Sequence, residues 1–235
     1  MKNGPGLSII VPTLNEADSI GHLINYLREH AGGYIQIIVS DGGSTDNTVS
    51  AALQAQAEVL VSPIKGRAAQ MNYGASKATE SILYFVHADC LPPNFFYNNI
   101  VKAVEDGFVL GRFQTKFNSK KKLLKLNAFF TRFDWAVCSG GDQTLFFRKD
   151  IFRQINGFNN ELFLMEDYDI VKRARQQHFP YAILKDKVLV SARKYSNNSW
   201  LKVQQAHHKI IKMYHKGASQ KALVEKYKEL LNYRY

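Results

Sequence analysis

Short apolar runs alternate with amphipathic stretches through the first half of the chain. Leu7-Ser8-Ile9-Ile10-Val11-Pro12 is rich in β-branched residues and stopped by a proline, which predicts a strand. After the Thr13-Leu14-Asn15-Glu16 loop, Ile20, Leu23, Ile24 and Leu27 recur at i, i+3, i+4 and i+7, the spacing of a helix with one buried face. Ile35–Ser40 predicts a second strand, Asp46 the N-cap of a helix reaching about Ala57, and Glu58–Val61 a third strand. Gly66–Ala78 reads as a helix of small residues and Ile82–Val86 as a fourth strand. Strand and helix in this rhythm predict an α/β fold with a mostly parallel central sheet covered by helices on both faces.

Further along, helices are predicted over Asn94–Val104, Lys120–Phe133, Asp150–Ile155 (closed by Gly157) and Met165–Gln177. Strands are predicted over Phe108–Phe117 and Gln143–Arg148, with short strands in Tyr181–Ser191. Two C-terminal helices, Ser199–Lys216 and Ser219–Leu231, are separated by Gly217. The expected organisation is one domain over residues 1–195, split into halves at 111/112, followed by a basic helical appendage over 196–235. No repeat or low-complexity linker interrupts it.

Polar residues gather at the ends of the predicted strands. Ser81–Val86 runs apolar into His87-Ala88-Asp89, and Pro92-Pro93 blocks extension. Asn15 and Glu16 follow the first strand, and Asp41-Gly42-Gly43 the second. Each has a local reading as well, Asn15 and Glu16 as a helix start and Asp41 as a turn former. Parallel strands set their carboxyl ends side by side, where open α/β sheets bind ligands. There an aspartate can accept from a pyrimidine N–H, and glycines let a ribose approach the backbone.

Charge divides the chain. Residues 1–111 carry six Lys/Arg against ten Asp/Glu, and residues 112–235 carry 25 against ten, so the net +11 resides in the second half. A uniformly basic protein would point to nucleic acid; this asymmetry points to an anionic partner for the second half only. Residues 112–132 hold seven Lys/Arg and no acid, interleaved with Leu and Phe. That is either a solvated helix face or a surface for anionic lipid headgroups. The two cysteines, Cys90 and Cys138, have no metal-ligand spacing and fit a reducing compartment. With neither a signal-peptide pattern at Met1–Gly6 nor a membrane-spanning run, a cytoplasmic location is expected, with peripheral contact at the inner face of the membrane allowed.

Four segments in order carry a resemblance: Ser8–Glu16, Val39–Asp46, His87-Ala88-Asp89, and Gly157-Phe158 followed by Glu166-Asp167. Together they resemble the family 2 glycosyltransferases, enzymes of the GT-A fold that use nucleotide-diphosphate sugars. Gly66–Ala75, with Arg67 and Asn72, is similar to the family's helix near the nucleotide. The His-Ala-Asp triplet and short length most resemble a small bacterial branch associated with radical SAM and selenocysteine-domain proteins.

The resemblance implies a donor site of Pro12, Thr13, Asn15, Glu16, Asp41, Gly43, Arg67, Asn72, His87, Ala88 and Asp89. It implies Mn²⁺ or Mg²⁺ at Asp89, neutralising charge on the departing diphosphate. Most of the family has aspartate where His87 stands; His87 either ligates Mn²⁺ or hydrogen-bonds the sugar, and the second is preferred. Asp167, beside Glu166, is implied as the base of an inverting transfer; without the family, both acids read as a helix start. Gly141 and Asp142 are expected near the acceptor or sugar, and Arg193 on the diphosphate or in solvent. Asp169 is expected to be structural, and His207, His208 and His215 to lie at the surface.

The implied partners are a nucleotide-diphosphate sugar, with UDP favoured through Asp41, and an anionic or lipid-linked acceptor; nucleic acid is not expected. A nucleotidyltransferase would show a Gly-rich phosphate loop after the first strand, which Thr13–Glu16 is not. A non-catalytic membrane- or nucleic-acid-binding module would bind through the basic half and ignore nucleotide sugars.

Overall fold

The computed structural model describes residues 5–134 and 144–231. Its first half alternates β1 (Leu7–Thr13), α1 (Ala17–His30), β2 (Ile35–Asp41), α2 (Thr48–Gln54), β3 (Glu58–Val61), α3 (Arg67–Lys77) and β4 (Ile82–Phe85). The second half runs through β5 (Cys90–Leu91), α4 (Phe96–Glu105), β6 (Leu110–Phe117), α5 (Lys122–Phe130), β7 (Leu145–Arg148), α6 (Lys149–Gln154), α7 (Glu166–Gln176), β8 (Tyr181–Val190), α8 (Trp200–His215) and α9 (Gln220–Leu230). One eight-stranded sheet has the order β3-β2-β1-β4-β7-β6-β8-β5. β1 pairs in parallel with β2 and β4, β2 with β3, and β6 with β8; β7 and β5 run antiparallel to their neighbours.

All seven residues of β1 are buried because it lies inside the sheet and both faces are covered. Leu7, Ile9 and Val11 point to one layer with Ile82 and Tyr84, packed by Leu23 and Ile24 of α1, Ala52 of α2 and Ile100 of α4. Ile10, Leu83 and Phe85 point to the other, against Ala68 and Met71 of α3, Phe152 of α6 and Ile170 of α7. A third cluster joins Leu124 of α5, Leu164 and Tyr195 to Val203, Ile210, Leu223 and Tyr227 of the C-terminal helices.

Three sequence expectations change in detail. Asn47, not Asp46, precedes the first turn of α2; the Asp46 carboxylate accepts from the Thr48 and Ala17 amides, 2.9 and 3.2 Å, and so serves two helix starts. Tyr181–Val190 is one strand rather than several, with a register irregularity opposite Phe113/Gln114. Between Asp89 and Pro92 the chain adds the two-residue β5 against the end of β8, which bends Asp89 toward Ser191.

Candidate active site

The register of the parallel strands sets Thr13 opposite Asp41 and Ile10 opposite Phe85, so the segments after β1, β2 and β4 leave the sheet at one edge. The first two are stitched together. Asp41 is buried, and its carboxylate accepts from the Gly43 and Ser44 amides, both 2.8 Å, and from the Ser44 and Thr13 hydroxyls at 2.5 and 3.4 Å. Asn15, with φ of 54°, accepts from the Thr45 amide through Oδ1 and donates its own amide to Ser44 Oγ, each 2.8 Å. Gly43, at φ of 91°, takes a conformation that a side chain would resist. Both Asp41 and Asn15 are therefore engaged in shaping this edge.

Gln70 completes the floor, and sequence reasoning missed it. It is buried on α3, and its amide donates to the carbonyls of Thr13 and Ser40, 2.6 and 3.0 Å, at the ends of two strands. A Cβ on Gly42 would come within 2.8 Å of that amide, which accounts for the glycine beside Asp41. The available signal was a glutamine on the buried face of a helix of small residues.

His87 and Asp167 meet across the edge. α7 begins at Glu166, after Met165 takes a left-handed φ of 72°, and both acids of the pair are buried. His87 Nε2 lies 3.8 Å from Asp167 Oδ2, a buried oxygen with no hydrogen-bond donor among the described residues. The neighbouring Glu166 Oε1 lies 2.5 Å from Arg67 Nε at the start of α3. Burial pushes the Glu166 carboxyl above its ordinary value; Arg67 opposes that shift and Asp167 adds to it.

Arg193 follows β8 and faces two carboxylates, Glu16 Oε1 at 3.0 Å and Asp89 Oδ2 at 3.8 Å. Asp89 is partly exposed, whereas His87 and Ala88 are buried. Two acids sharing one cation is a place where a divalent ion and a diphosphate can be balanced together. Among the described residues, no three His, Cys, Asp or Glu side chains cluster as a complete metal site. One or two carboxylates with phosphate oxygens and water suit Mg²⁺ or Mn²⁺, so the donor set fits an ion that comes with its substrate.

The other expected residues divide between this edge and other parts of the fold. Pro12 and Thr13 are buried at the end of β1, with Thr13 inside the Asp41 network. Asn72 on α3 turns to the Phe158–Asn160 loop, donating to Phe158 O at 2.8 Å and Asn160 Oδ1 at 2.7 Å, and accepting from the Phe158 amide at 2.9 Å. These bonds hold the loop ahead of the acidic pair. Asp169 pairs with Arg173 at 2.8 Å and accepts from the Tyr214 hydroxyl at 3.4 Å. His208 and His215 are exposed, while His207 is half-buried and stacks on Tyr227. Gly141, Asp142 and Cys138 lie outside the described residues.

A curled, mostly parallel sheet, helices on both faces and acids gathered at the strand ends define a GT-A type α/β protein. The chain belongs to glycosyl transferase family 2, whose model matches residues 8–173. Similar curated proteins are the glucosyl-3-phosphoglycerate synthases of Mycolicibacterium smegmatis, 30% identical over 102 residues, and Mycolicibacterium paratuberculosis, 34% over 104. Each alignment covers 40% of this chain, which thus matches about a third of those relatives' length (34% and 31%). Among solved structures, a mannosyltransferase from Pyrobaculum calidifontis in complex with GDP-Man and Mn²⁺ superposes with a TM-score of 0.71 at 17% identity, covering 97% of this chain and 70% of that one. The Mycobacterium tuberculosis glucosyl-3-phosphoglycerate synthase with Mn²⁺, UDP and phosphoglyceric acid gives 0.63 at 17%, covering 92% and 80%. At that identity the likeness shows the fold. The family match decides against a nucleotidyltransferase.

Proposed function

We propose that this protein is a metal-dependent glycosyltransferase that moves a sugar from a nucleotide-diphosphate donor to an acceptor hydroxyl with inversion. The observation that carries the proposal is the Asp167 oxygen: buried, without a hydrogen-bond donor among the described residues, and facing His87 at the edge that also presents Asp89. In the reaction, the acceptor oxygen forms a bond to the anomeric carbon as the bond to the diphosphate oxygen breaks. The acceptor proton goes to Asp167, and the electron pair of the broken bond stays with the diphosphate. General-base assistance of this kind is worth about 10²–10⁴-fold.

Asp89 is the carboxylate that would hold Mn²⁺ or Mg²⁺, which supplies positive charge to the leaving phosphates. His87 faces Asp167, which supports a role on the sugar or the base rather than on the ion. Arg193 already stands between Glu16 and Asp89 and is placed to turn its guanidinium to the diphosphate. Asp41 acts through the loop it builds, so the preference for UDP rests on solved neighbours that carry UDP or UDP-GlcNAc. The competing donor is a GDP-sugar, favoured by the neighbour solved with GDP-Man. Placement in the radical SAM-associated branch is also proposed, resting on the His87-Ala88-Asp89 triplet.

The test is calorimetric titration with UDP and GDP, each with and without Mn²⁺, paired with nucleotide release from the matching sugar donors. One nucleotide should bind with metal dependence, and Asp89→Ala should lose it. Asp167→Asn should keep nucleotide binding and lose about 10²-fold or more of turnover. Near-normal turnover in Asp167→Asn would remove Asp167 as the base. Failure of both nucleotides to bind wild type would remove the donor reading.

A further inference from the structure

α5 exposes large apolar side chains that an ordinary surface helix would bury. Its inner side is well anchored: Leu124 is buried in the third cluster, and Asn127 bonds the Tyr195 hydroxyl at 3.3 Å and the Trp200 indole at 3.1 Å. Past its C-terminal end, the buried Arg112 donates to the carbonyls of Thr131 and Phe133 at 2.5 and 3.1 Å. Its outer side should then be polar. Instead Leu123, Leu126, Phe129 and Phe130 are 36–50% exposed, four of the thirteen exposed large hydrophobic residues in the described chain. Leu123, Leu126 and Phe130 recur at i, i+3 and i+7, and the Phe129, Phe130 and Phe133 rings touch, with centroids 5.6–6.4 Å apart.

The charge along α5 is positive, and the acid just beyond it, Asp134, is paired with Arg175. Lys120, Lys122, Lys125 and Arg132 are exposed beside the ridge, and residues 112–132 contain no acid. The Arg132 guanidinium lies 4.0 Å over the Phe129 ring, so its stem covers apolar surface while the charge stays accessible. We propose that the outer face of α5 docks on an anionic lipid bilayer, with the Leu and Phe side chains entering the headgroup boundary and the cations meeting lipid phosphates. Charge complementarity decides the occupant. A second copy packed α5 on α5 would set these cations against themselves, whereas an anionic membrane answers both the charge and the protruding apolar side chains.

The place in the fold gives the contact a use. β7 is antiparallel to both β4 and β6, so β6 ends at the edge where His87 and Asp89 lie, and α5 starts there. Lys121 Nζ donates to Tyr195 O at 2.6 Å, two residues beyond Arg193. A bilayer on α5 would border the mouth of the proposed site, where an acceptor held in that bilayer can enter. Docking itself does not depend on the transferase reading.

Cosedimentation with phosphatidylglycerol/phosphatidylcholine vesicles, against pure phosphatidylcholine, tests it. Wild type should bind only the anionic vesicles, and less as salt rises. Leu126→Glu/Phe129→Glu should bind about tenfold or more weakly, and Lys122→Gln/Lys125→Gln several-fold more weakly. These side chains are exposed, so both variants should keep the wild-type circular dichroism and nucleotide affinity. Absence of binding to anionic vesicles, or undiminished binding by Leu126→Glu/Phe129→Glu, overturns the inference. So does a wild-type dimer in sedimentation that this variant dissociates, since a second copy would then cover the face.

Discussion

Two adjacent acids, Glu166 and Asp167, sit in one buried turn, and the protein treats them differently. Glu166 is paired with Arg67, and its carboxyl is held above the ordinary value of 4.5 chiefly by burial. A carboxyl that binds its proton more tightly folded than unfolded makes the native state take up a proton between the two values. Stability then falls as pH rises from the unfolded value through the raised one, and levels off beyond it. One proton sets the limiting slope at about 1.4 kcal/mol per pH unit. Glu166→Gln should remove that slope, so the wild type should lose stability relative to the variant as pH rises above the ordinary value of 4.5. Urea denaturation at stepped pH measures this. Parallel pH profiles for the two proteins would show that Arg67 keeps Glu166 ionised at no net cost to the fold.

The acidic pair depends on what holds the segment before α7. Gln220, the first residue of α9, accepts through Oε1 from the amides of both Phe163 and Leu164, each 3.1 Å. Gln220→Ala leaves two amides without that acceptor and should cost about 1–2 kcal/mol of stability. It should lower turnover more than donor affinity, and Gln220→Glu, which keeps an acceptor oxygen, should restore most of it. Equal turnover in all three proteins would mean that burial of Leu164 suffices. Such a contact has no sequence signature, since a glutamine in a polar helix 56 positions away looks like any surface residue. The repeating elements were legible because burial on both faces forces apolar strands and one buried helix stripe forces a 3.6 period. β5 was not, since two residues before a proline carry no period. The edge itself was legible in Asn15, Asp41, His87 and Asp89, whereas the acidic pair was expected there only through the family resemblance. The division of labour within it, with Asp41 and Asn15 turned to the loop and Asn72 to Phe158, depends on side-chain partners far apart in the chain.

At the scale of the whole molecule, the question is whether α8 and α9 are an addition to a complete domain or a part of it. The third cluster buries Leu124, Leu164 and Tyr195, all before residue 196, against Val203, Ala206, Ile210, Leu223 and Tyr227. Polar contacts follow the same seam: Trp200 to Asn127, Tyr214 to Asp169 and Gln220 to Leu164. A chain ending at Tyr195 would expose the near side of that cluster while α7 and α5 lost their backing. Uncovering three large side chains at about 1.5–3 kcal/mol each removes an amount comparable with the whole stability of many domains. The shortened chain should therefore unfold at much lower urea than the full chain or fail to stay soluble, and should have no turnover even where nucleotide still binds. If instead it unfolds at the same urea concentration, the C-terminal helices are an appendage and the segment before Asp167 is held by the sheet and α3 alone.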